Sequence, residues 1–320
     1  MIFRTENWII MFLCFSFVMF GIFTWHTSLL TKQTQENIKT EDTLIESNRA
    51  ALAQVDAKAS TGAVFASEDA RKAAVAKFKD NFAKAMNYSG NNYSLVDYYI
   101  PCIFLVDDEG YYVAYTSSTI DNGAEYVTNV ITGLNTWTRT YGDYTIRYHL
   151  SDTVEVFKGN EQLSASYTKA YNYFSNPSEL SFMADADSFY EEKNNVICTI
   201  TEDQINYYIT THNNYANKHD RAYTFTMPKM TDFNVRLMDK PSVISFAQGM
   251  QYSTTKGYIN VYALTGAIED EENMYYEVKY NSNLYYHTSD CPKVNTDTVE
   301  PKTAKDCAKE GYSPCPYCVK

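Results

Sequence analysis

The chain has 320 residues, which is enough to build one large domain or two modest ones around a proper hydrophobic core. Its formal net charge is −12 and it has no basic run, so nucleic acid is excluded as an expected partner, because such binding depends on clustered Lys and Arg. The 29 Tyr and 17 Phe residues favour half-buried pleated surfaces. We therefore expect an α+β fold with a mixed antiparallel-sheet body in the middle of the chain.

The first segment with a clear pattern is the uncharged stretch from Trp8 to Trp25. With a helical rise of about 1.5 Å per residue, residues 8–30 are long enough to cover most of a hydrocarbon core about 30 Å thick. Tryptophan is enriched at both membrane interfaces, and Trp8 and Trp25 lie at the two ends of the stretch. The sequence therefore predicts an N-terminal membrane anchor over residues 1–30, with a transmembrane helix in the lipid bilayer.

The charges around this anchor predict its orientation. Arg4 and the N-terminal amine precede it, whereas Lys32 and Lys39 follow at a distance among acidic residues. By the positive-inside rule, the N-terminus is cytoplasmic and the body extracytoplasmic, as in a single-pass protein of the cell membrane. A cleaved signal peptide is the alternative, but the bulky stretch from Thr24 to Thr27 does not offer the small-x-small pattern of a cleavage site.

Residues 31–66 are expected to form a helical stalk. Most of this region is polar and free of Pro and Gly, and Ile38, Ile45 and Leu52 repeat every seven residues. One apolar position per heptad is a narrow seam. It fits a helix that packs weakly or associates with a copy of itself, and it fits a solvated spacer equally well.

An extracytoplasmic α+β body with long amphipathic helices is expected over residues 67–280. Ser67 is a candidate N-cap for a helix that runs to Asn87, because Glu68 and Asp69 suit the positive end of a helix dipole. One face of this helix is apolar and should pack on the sheet that follows. That face consists of Ala74, Val75, Phe78, Phe82 and Met86.

A β-hairpin is predicted next, from apolar runs over residues 99–106 and 111–115 that flank an acidic turn ending in Gly110. Further strands are expected around residues 137–141, 144–150 and 153–157. The order of helix and hairpin, with its V-D-D-E-G-Y turn, resembles extracytoplasmic sensor domains of the Cache and PAS-like type. That resemblance implies a ligand-binding module as an alternative function.

The second half of the body begins with a long amphipathic helix, predicted from Asp187 to about Asn217. Thr201 is the alternative start of a second helix. A division of the body into two subdomains would fall near residues 160–185. Short strands are expected at residues 223–227, 242–246, 258–264 and 274–280.

Candidate residues for chemistry in the body are few. His212 and His219 lie seven residues apart on the predicted long helix, but no HExxH pattern accompanies them, so a core or groove histidine is favoured. The carboxylates of residues 107–109 lack the spacing of an EF-hand loop, which favours solvation of a turn over calcium binding. Since no nucleophile elbow, phosphate loop or paired-carboxylate motif appears in the sequence, we do not expect an enzyme, and an envelope hydrolase is the weaker alternative.

The seven cysteines do not form the dense pattern of a disulfide scaffold. Cys14 lies in the predicted anchor, and four more crowd the C-terminal end. Cys102 and Cys198 are scattered through the body. They are interpreted either as one disulfide in an oxidising compartment or as two buried thiols.

The C-terminal residues 281–320 carry the most specific motif, in which His287 and Cys291 form one half-site and Cys315 and Cys318 form the other. Two short loops that each donate two N or S ligands satisfy the tetrahedral preference of Zn²⁺. Cys307 is an extra thiol, which is a candidate substitute for His287 or a partner in a disulfide. Two disulfides among the four tail cysteines are the alternative to zinc.

This tail resembles the Y-H-x3-C and G-Y-x-P-C-x2-C modules at the ends of Firmicutes surface proteins, and it is similar to the metal-binding domain of Ada-type DNA repair proteins. The resemblance implies that His287, Cys291, Cys315 and Cys318 hold a structural zinc ion. Ada-type sites use four cysteines and methylate one of them. His287 in place of one thiolate and the lack of a basic DNA-facing patch argue against methyl transfer here.

Four segments of the body, F-Y-E-E-K-N-N-V-I, I-T-T-H-N-N-Y-A, P-S-V-I-S-F-A-Q-G and Y-I-N-V-Y-A-L-T-G-A, occur in an order that resembles single-pass membrane proteins encoded with Flp/Tad-type pilus genes in Firmicutes. The resemblance implies a context of surface-appendage assembly. We therefore expect a non-enzymatic accessory protein of a pilus or other cell-envelope machinery, which acts by binding other envelope or pilus proteins.

Overall fold

The computed structural model describes residues 5–55, 64–88, 90, 94–121, 124–218, 223–227, 240–253, 256–266, 275–280, 283–289, 291–294, 300–302, 307, 310, 312–315 and 318. The helices in this part are α1 (Thr5–Leu52), α2 (Glu68–Ala85), α3 (Ser94–Tyr99), α4 (Tyr167–Tyr173), α5 (Ala186–Lys218) and a 3-10 helix (Ser178–Ala184). The strands are β1 (Cys102–Asp107), β2 (Gly110–Asp121), β3 (Ala124–Ile131), β4 (Trp137–Tyr141), β5 (Tyr144–Tyr148), β6 (Thr153–Lys158), β7 (Glu161–Ser166), β8 (Ser242–Gln251), β9 (Tyr258–Gly266), β10 (Tyr276–Tyr280), β11 (Asn283–His287) and β12 (Ser313–Pro314).

The strands form three sheets, so the fold is α+β, as expected. The largest sheet has the order β3-β2-β1-β8-β9, a second has the order β4-β5-β6-β7, and a small C-terminal one has the order β10-β11-β12. In the largest sheet β1 pairs antiparallel with β2 on one side and with β8 on the other. Because β1 and β8 come from the two halves of the body, the halves share one sheet.

The stretch near residues 160–185, where a division of the body into two subdomains would fall, contributes side chains to the core of the body. Tyr167 and Leu180 lie in this region and are fully buried. They belong to the same hydrophobic cluster as Phe104 of the central strand. The region therefore crosses the core of the body.

Both faces of the five-stranded sheet are covered, which explains the uninterrupted apolar run of β1. Phe104 and Val106 face a cluster that is shared with α5 and the four-stranded sheet. Ile103 and Leu105 point the other way, into a cluster that is shared with α1 and α2. The large sheet is therefore the middle layer of the body.

Local sequence signals confirm the predicted hairpin and the helix before it. The Ser67 hydroxyl accepts a hydrogen bond from the backbone N–H of Ala70 at 3.0 Å and caps α2. The β1–β2 hairpin closes where Asp107 pairs with Gly110. At Gly110 a Cβ atom would lie 2.0 Å from the backbone oxygen of Asn135, so the close approach of that loop requires glycine.

Within the expected helical stalk of residues 31–66, residues 31–52 are the second half of α1, and several of them pack on the body. Residues 56–63 lie outside the described residues. Leu44 and Leu52 are buried in the cluster that covers the large sheet, whereas Ile38 is 52% exposed. The Asn48 side chain donates hydrogen bonds to the backbone oxygens of Val243 and Ala263, both at 3.2 Å. The heptad spacing of apolar residues therefore reflects contact between a helix and a sheet of the same chain.

The long helix α5 is continuous, and no second helix begins at Thr201. The Thr201 side chain is buried, and its hydroxyl accepts a hydrogen bond from the indole N–H of Trp137 at 3.1 Å. The residues predicted to face inward, such as Phe189, Val196 and Ile205, are buried. Residues 223–227, which were expected to form a strand, are extended but belong to no sheet among the described residues.

Candidate metal centre

The C-terminal hairpin positions the first half of the predicted metal site. β10 and β11 pair antiparallel, with Tyr276 opposite His287, so His287 lies at the end of β11. A tight turn follows, in which the backbone N–H of Cys291 donates to the oxygen of Thr288 at 3.1 Å. This turn brings the Cys291 thiol back to the imidazole.

The second half of the site is brought alongside by the two-residue strand β12. It runs parallel to β11, and Tyr286 pairs with Pro314. The backbone N–H of Cys315 donates to the oxygen of Tyr286 at 3.0 Å. This bond fixes Cys315 directly beside the strand that ends in His287.

The four predicted ligands converge. One ligand atom from each of His287, Cys291, Cys315 and Cys318 lies within 4.8 Å of the other three. The Nδ1 atom of His287 is 3.2 Å from the Cys291 sulfur and 3.5 Å from the Cys318 sulfur. The structure describes all seven cysteines and joins none of them in a disulfide. The cluster can therefore hold a metal ion.

The surroundings of the site favour the neutral forms of His287 and Cys318. Burial, followed by the charge of Lys293, lowers the pKa of His287, so its imidazole is neutral at pH 7. Burial raises the pKa of the Cys318 thiol to about 11. A bound cation must displace that proton, because a thiolate is the form of cysteine that ligates metals.

Cys307 lies near this cluster but is not one of its four members. It is fully buried among Tyr275, Tyr286 and Cys315. Burial, followed by the charge of Glu277, raises the pKa of its thiol to about 12. The structure thus places Cys307 in the packing of the tail, outside the cluster of His287, Cys291, Cys315 and Cys318.

The module contacts the body, which no local sequence signal indicated. β12 lies beside β7, the edge strand of the four-stranded sheet. The Nζ atom of Lys169 is 5.6 Å from the centroid of the Tyr285 ring, at the distance of a cation–π contact. The two tyrosines that precede His287 thus connect the metal ligands to the body.

His212, the histidine of α5, lies in the core of the body. His212 is 1% exposed, and its Nε2–H donates to the backbone oxygen of Tyr98 at 2.8 Å. Burial lowers the pKa of this imidazole to about 4, so it is a neutral core histidine. His219 lies outside the described residues.

The carboxylates in the acidic turn of the hairpin accept hydrogen bonds from other parts of the protein. Asp107 accepts hydrogen bonds from the backbone N–H groups of Val64 and Phe65, at 3.0 and 2.8 Å. Asp108 lies 3.2 Å from Nδ1 of His149 and accepts the backbone N–H of Ser151 at 2.7 Å. Although burial alone raises the pKa of Asp108, these two contacts lower it. The turn therefore joins separate elements through the carboxylate oxygens of Asp107 and Asp108.

The two scattered cysteines do not form a bridge. Cys102 is fully buried on β1, and burial raises the pKa of its thiol well above the usual range. Cys198 lies on α5 and is partly exposed, and neither residue forms a disulfide. Of the two interpretations of this pair, the disulfide is wrong.

Comparison of the chain with protein-family models, with curated proteins and with solved structures finds no match.

Proposed function

We propose that this chain is a single-pass membrane protein with an extracytoplasmic body, a structural zinc ion in its C-terminal module, and a role in binding other proteins of the cell envelope. The proposal rests mainly on helix α1. Its first half is apolar and exposed, whereas its second half packs against the body. Among the described residues, α1 contains the one stretch long and apolar enough to cross a membrane, and none of that stretch is buried. A signal sequence has the same length and composition.

The continuity of α1 joins its apolar half directly to the half that packs on the body. The helix has 48 residues, which corresponds to about 70 Å at about 1.5 Å per residue. Contacts with the body begin at Glu36, which hydrogen bonds to Ser253, and at Asn37, whose side-chain oxygen accepts a bond from Tyr252 at 2.8 Å. Cleavage after Trp25 would leave the buried half of α1 in place. An uncleaved helix would hold the body close to the membrane surface.

Zinc is the metal that the ligand set favours. Three thiolates and one imidazole form a soft, closed set of four ligands, as in structural zinc sites. Zn–S bonds of about 2.3 Å and Zn–N bonds of about 2.0 Å place the ligands of a tetrahedral ion roughly 3.5 to 3.8 Å apart. The 3.2 and 3.5 Å between Nδ1 of His287 and the sulfurs of Cys291 and Cys318 come close to these values. Because four protein ligands leave no open position, the ion is structural.

A role in protein binding is supported by the resemblance to membrane proteins of Flp/Tad-type pilus loci, which suggests the assembly of a pilus or other envelope machinery. The alternatives have less support. A sensor-type ligand would need space inside the hairpin sheet, but Phe104 is fully buried there and packs against Tyr111 and Tyr208. A hydrolase would need a reachable base, but His212 is buried and bonded to a backbone carbonyl.

Protease treatment of intact cells tests the proposed topology. We expect externally added protease to digest a C-terminal epitope tag and the body, and to leave a membrane-bound fragment that carries an N-terminal tag. Replacing Phe17 with Arg should release the protein from the membrane fraction, because a charge at the centre of the span is costly, whereas Phe17→Leu should not. A mature protein that begins after Trp25, or a body protected until the cells are lysed, would contradict the proposal.

A further inference from the structure

Residues 223–227 form a segment between α5 and β8 that joins no sheet in the part of the chain that the structure describes. Its backbone is nevertheless paired on both sides, by side chains instead of strands. The Asn213 side chain accepts the N–H of Phe225 at 2.6 Å and donates to the oxygen of the same residue at 2.8 Å. The Gln248 side chain does the same for Thr226, at 2.9 and 2.6 Å.

The side-chain amides of Asn213 and Gln248 form the hydrogen bonds that two neighbouring strands would form to a central strand. In an extended chain the N–H and C=O groups of successive residues point to opposite sides. Asn213 on α5 therefore pairs with one edge of the segment, and Gln248 on β8 pairs with the other. Gln248 is fully buried, so its amide is committed to this contact. These hydrogen bonds involve only backbone N–H and C=O groups of the segment, which every extended peptide has.

An aromatic pocket fixes the register of the segment. Phe225 is 2% exposed, and its ring packs edge to face against His212 and Tyr98, with centroid distances of 4.5 and 5.4 Å. The bond from His212 to the backbone oxygen of Tyr98 holds the imidazole in place. The pocket therefore selects a large aromatic side chain next to the backbone groups that Asn213 pairs with.

β8 is shaped to admit the aromatic rings. Its pairing with β9 shifts register between Gln248 and Gln251, and Gly249 has a φ of +78°. A Cβ atom on Gly249 would lie 3.0 Å from Cδ1 of Tyr223 and 3.3 Å from Cζ of Phe225. Both the register shift in β8 and Gly249 therefore make room for the side chains of Tyr223 and Phe225.

We propose that this groove, formed by Asn213, Gln248, Gly249, His212 and Tyr98, is a peptide-binding site. Its ligand is an extended, uncharged segment of another protein with an aromatic residue at the position of Phe225. The chain's own residues 223–227 occupy the groove in this structure and compete with such a ligand, and because they belong to the same chain they do so at a high effective concentration. The inference deepens the proposed function in protein binding, because it names the chemistry of the partner.

A synthetic peptide of residues 222–228 is the probe, and the full-length protein in detergent is the receptor. We expect the variant Phe225→Ala, whose own segment has lost its aromatic anchor, to bind the labelled peptide at least tenfold more tightly than the unmodified chain does. The same peptide with Ala in place of Phe should not bind. Adding Gln248→Ala to the variant should abolish binding, since one of the two backbone-pairing amides is then gone.

Several results would overturn the proposal. Equal peptide affinity for the unmodified and variant chains would do so, and so would tight binding of the peptide that lacks Phe. If toluene stabilised Phe225→Ala as well as the peptide does, the peptide would only be filling the cavity left by the substitution. If the variant associated with itself through the groove, the occupant would be a second copy of this chain. If Phe225→Ala does not fold, Thr226→Pro, which removes the N–H donated to Gln248, takes its place with the same expected outcomes. The peptide assay does not depend on membrane topology, so its failure is separable from failure of the proposed function.

Discussion

The body and the C-terminal module stabilise their folds in different ways. The body buries large side chains between its layers, among them Trp137, Phe104 and Phe246, all of which are fully buried. Among the described residues, the buried cluster around the β10-β11-β12 sheet of the module consists of Tyr275, which directly precedes β10, together with Tyr286, Cys307 and Cys315. Two of these four residues are cysteines, and one of them is a predicted ligand.

The difference shows how the size of a core decides whether a metal is needed. Burial of apolar surface contributes roughly 25 cal/mol per Å², so a body of three packed layers is stabilised without staples. A module of about forty residues cannot bury enough surface and needs a metal or disulfides. The module should therefore depend on its metal, and the body should not. The following experiments test that contrast.

Removal of the metal should have the largest effect. A strong chelator should unfold the module, because apparent binding energies of structural zinc in finger peptides are about 10 to 16 kcal/mol and are folding energy. Hydrogen exchange followed by mass spectrometry should show that β10 and β11 lose protection while β1 keeps it. Equal loss of protection in both regions would mean that the body also depends on the metal.

A cavity in the core should destabilise the body and leave the metal site intact. Phe104 packs against Tyr111, Tyr208 and Phe246, with ring centroids 5.6, 6.1 and 6.5 Å away. Phe104→Ala should lower the free energy of unfolding of the body by about 3 to 5 kcal/mol, as measured by urea denaturation, with unchanged metal content. The exposed Tyr207 is the matched control, and Tyr207→Ala should change the free energy by less than about 0.5 kcal/mol.

The body should lose stability in mild acid because of His212. Burial, the main cause, and Lys79 lower the pKa of this imidazole to about 4, while its bond to Tyr98 and the charge of Asp97 act in the opposite direction. The ordinary value of about 6.5 applies to the unfolded chain, so between these pH values the unfolded state binds more protons. The stabilising contribution is complete above pH 6.5 and is lost as the pH falls toward 4.

Urea denaturation at pH 7 and pH 5 measures this effect, with chelator present throughout so that the metal ligands do not contribute. The unmodified chain should lose about 2 kcal/mol more between the two pH values than His212→Gln. Glutamine retains a side-chain N–H near the position of Nε2 but does not titrate in this range. The same pH dependence in both proteins would remove His212 as its cause.

The smallest expected effect is at the start of α2. Ser67→Ala removes the acceptor for the N–H of Ala70 and should cost about 1 kcal/mol in the free energy of unfolding. Ser67→Asp keeps an acceptor and suits the helix dipole, so it should restore the stability. Thermal unfolding of the two variants provides the comparison, and equal losses in both would contradict the role of the cap.

The features that the sequence predicted correctly depend on short-range patterns. Periodicity and capping located α2, the β1–β2 hairpin and α5, and ligand spacing located His287, Cys291, Cys315 and Cys318. Each of these signals lies within a few dozen residues, where the period of the element or the geometry of a metal site restricts the choice of residues.

The features that were missed depend on contacts between distant parts of the chain. Pairing of β1 with β8 joins residues about 140 positions apart, and the bonds from Asn48 to Val243 and Ala263 span about 200. The apolar spacing of Ile38, Ile45 and Leu52 could not tell a partner helix from a sheet of the same chain. The hydrogen bonds between the Asn213 side chain and the backbone of Phe225 were not predicted, because no residue near Asn213 in the sequence indicates that the chain returns to meet it.

Native mass spectrometry of the purified full-length protein measures how many zinc ions each chain binds. We expect one zinc ion per chain in the unmodified protein and in Cys307→Ser, and none in Cys315→Ser. A protein without bound metal whose tail cysteines are joined in disulfides would contradict this expectation, and so would loss of the zinc ion from Cys307→Ser.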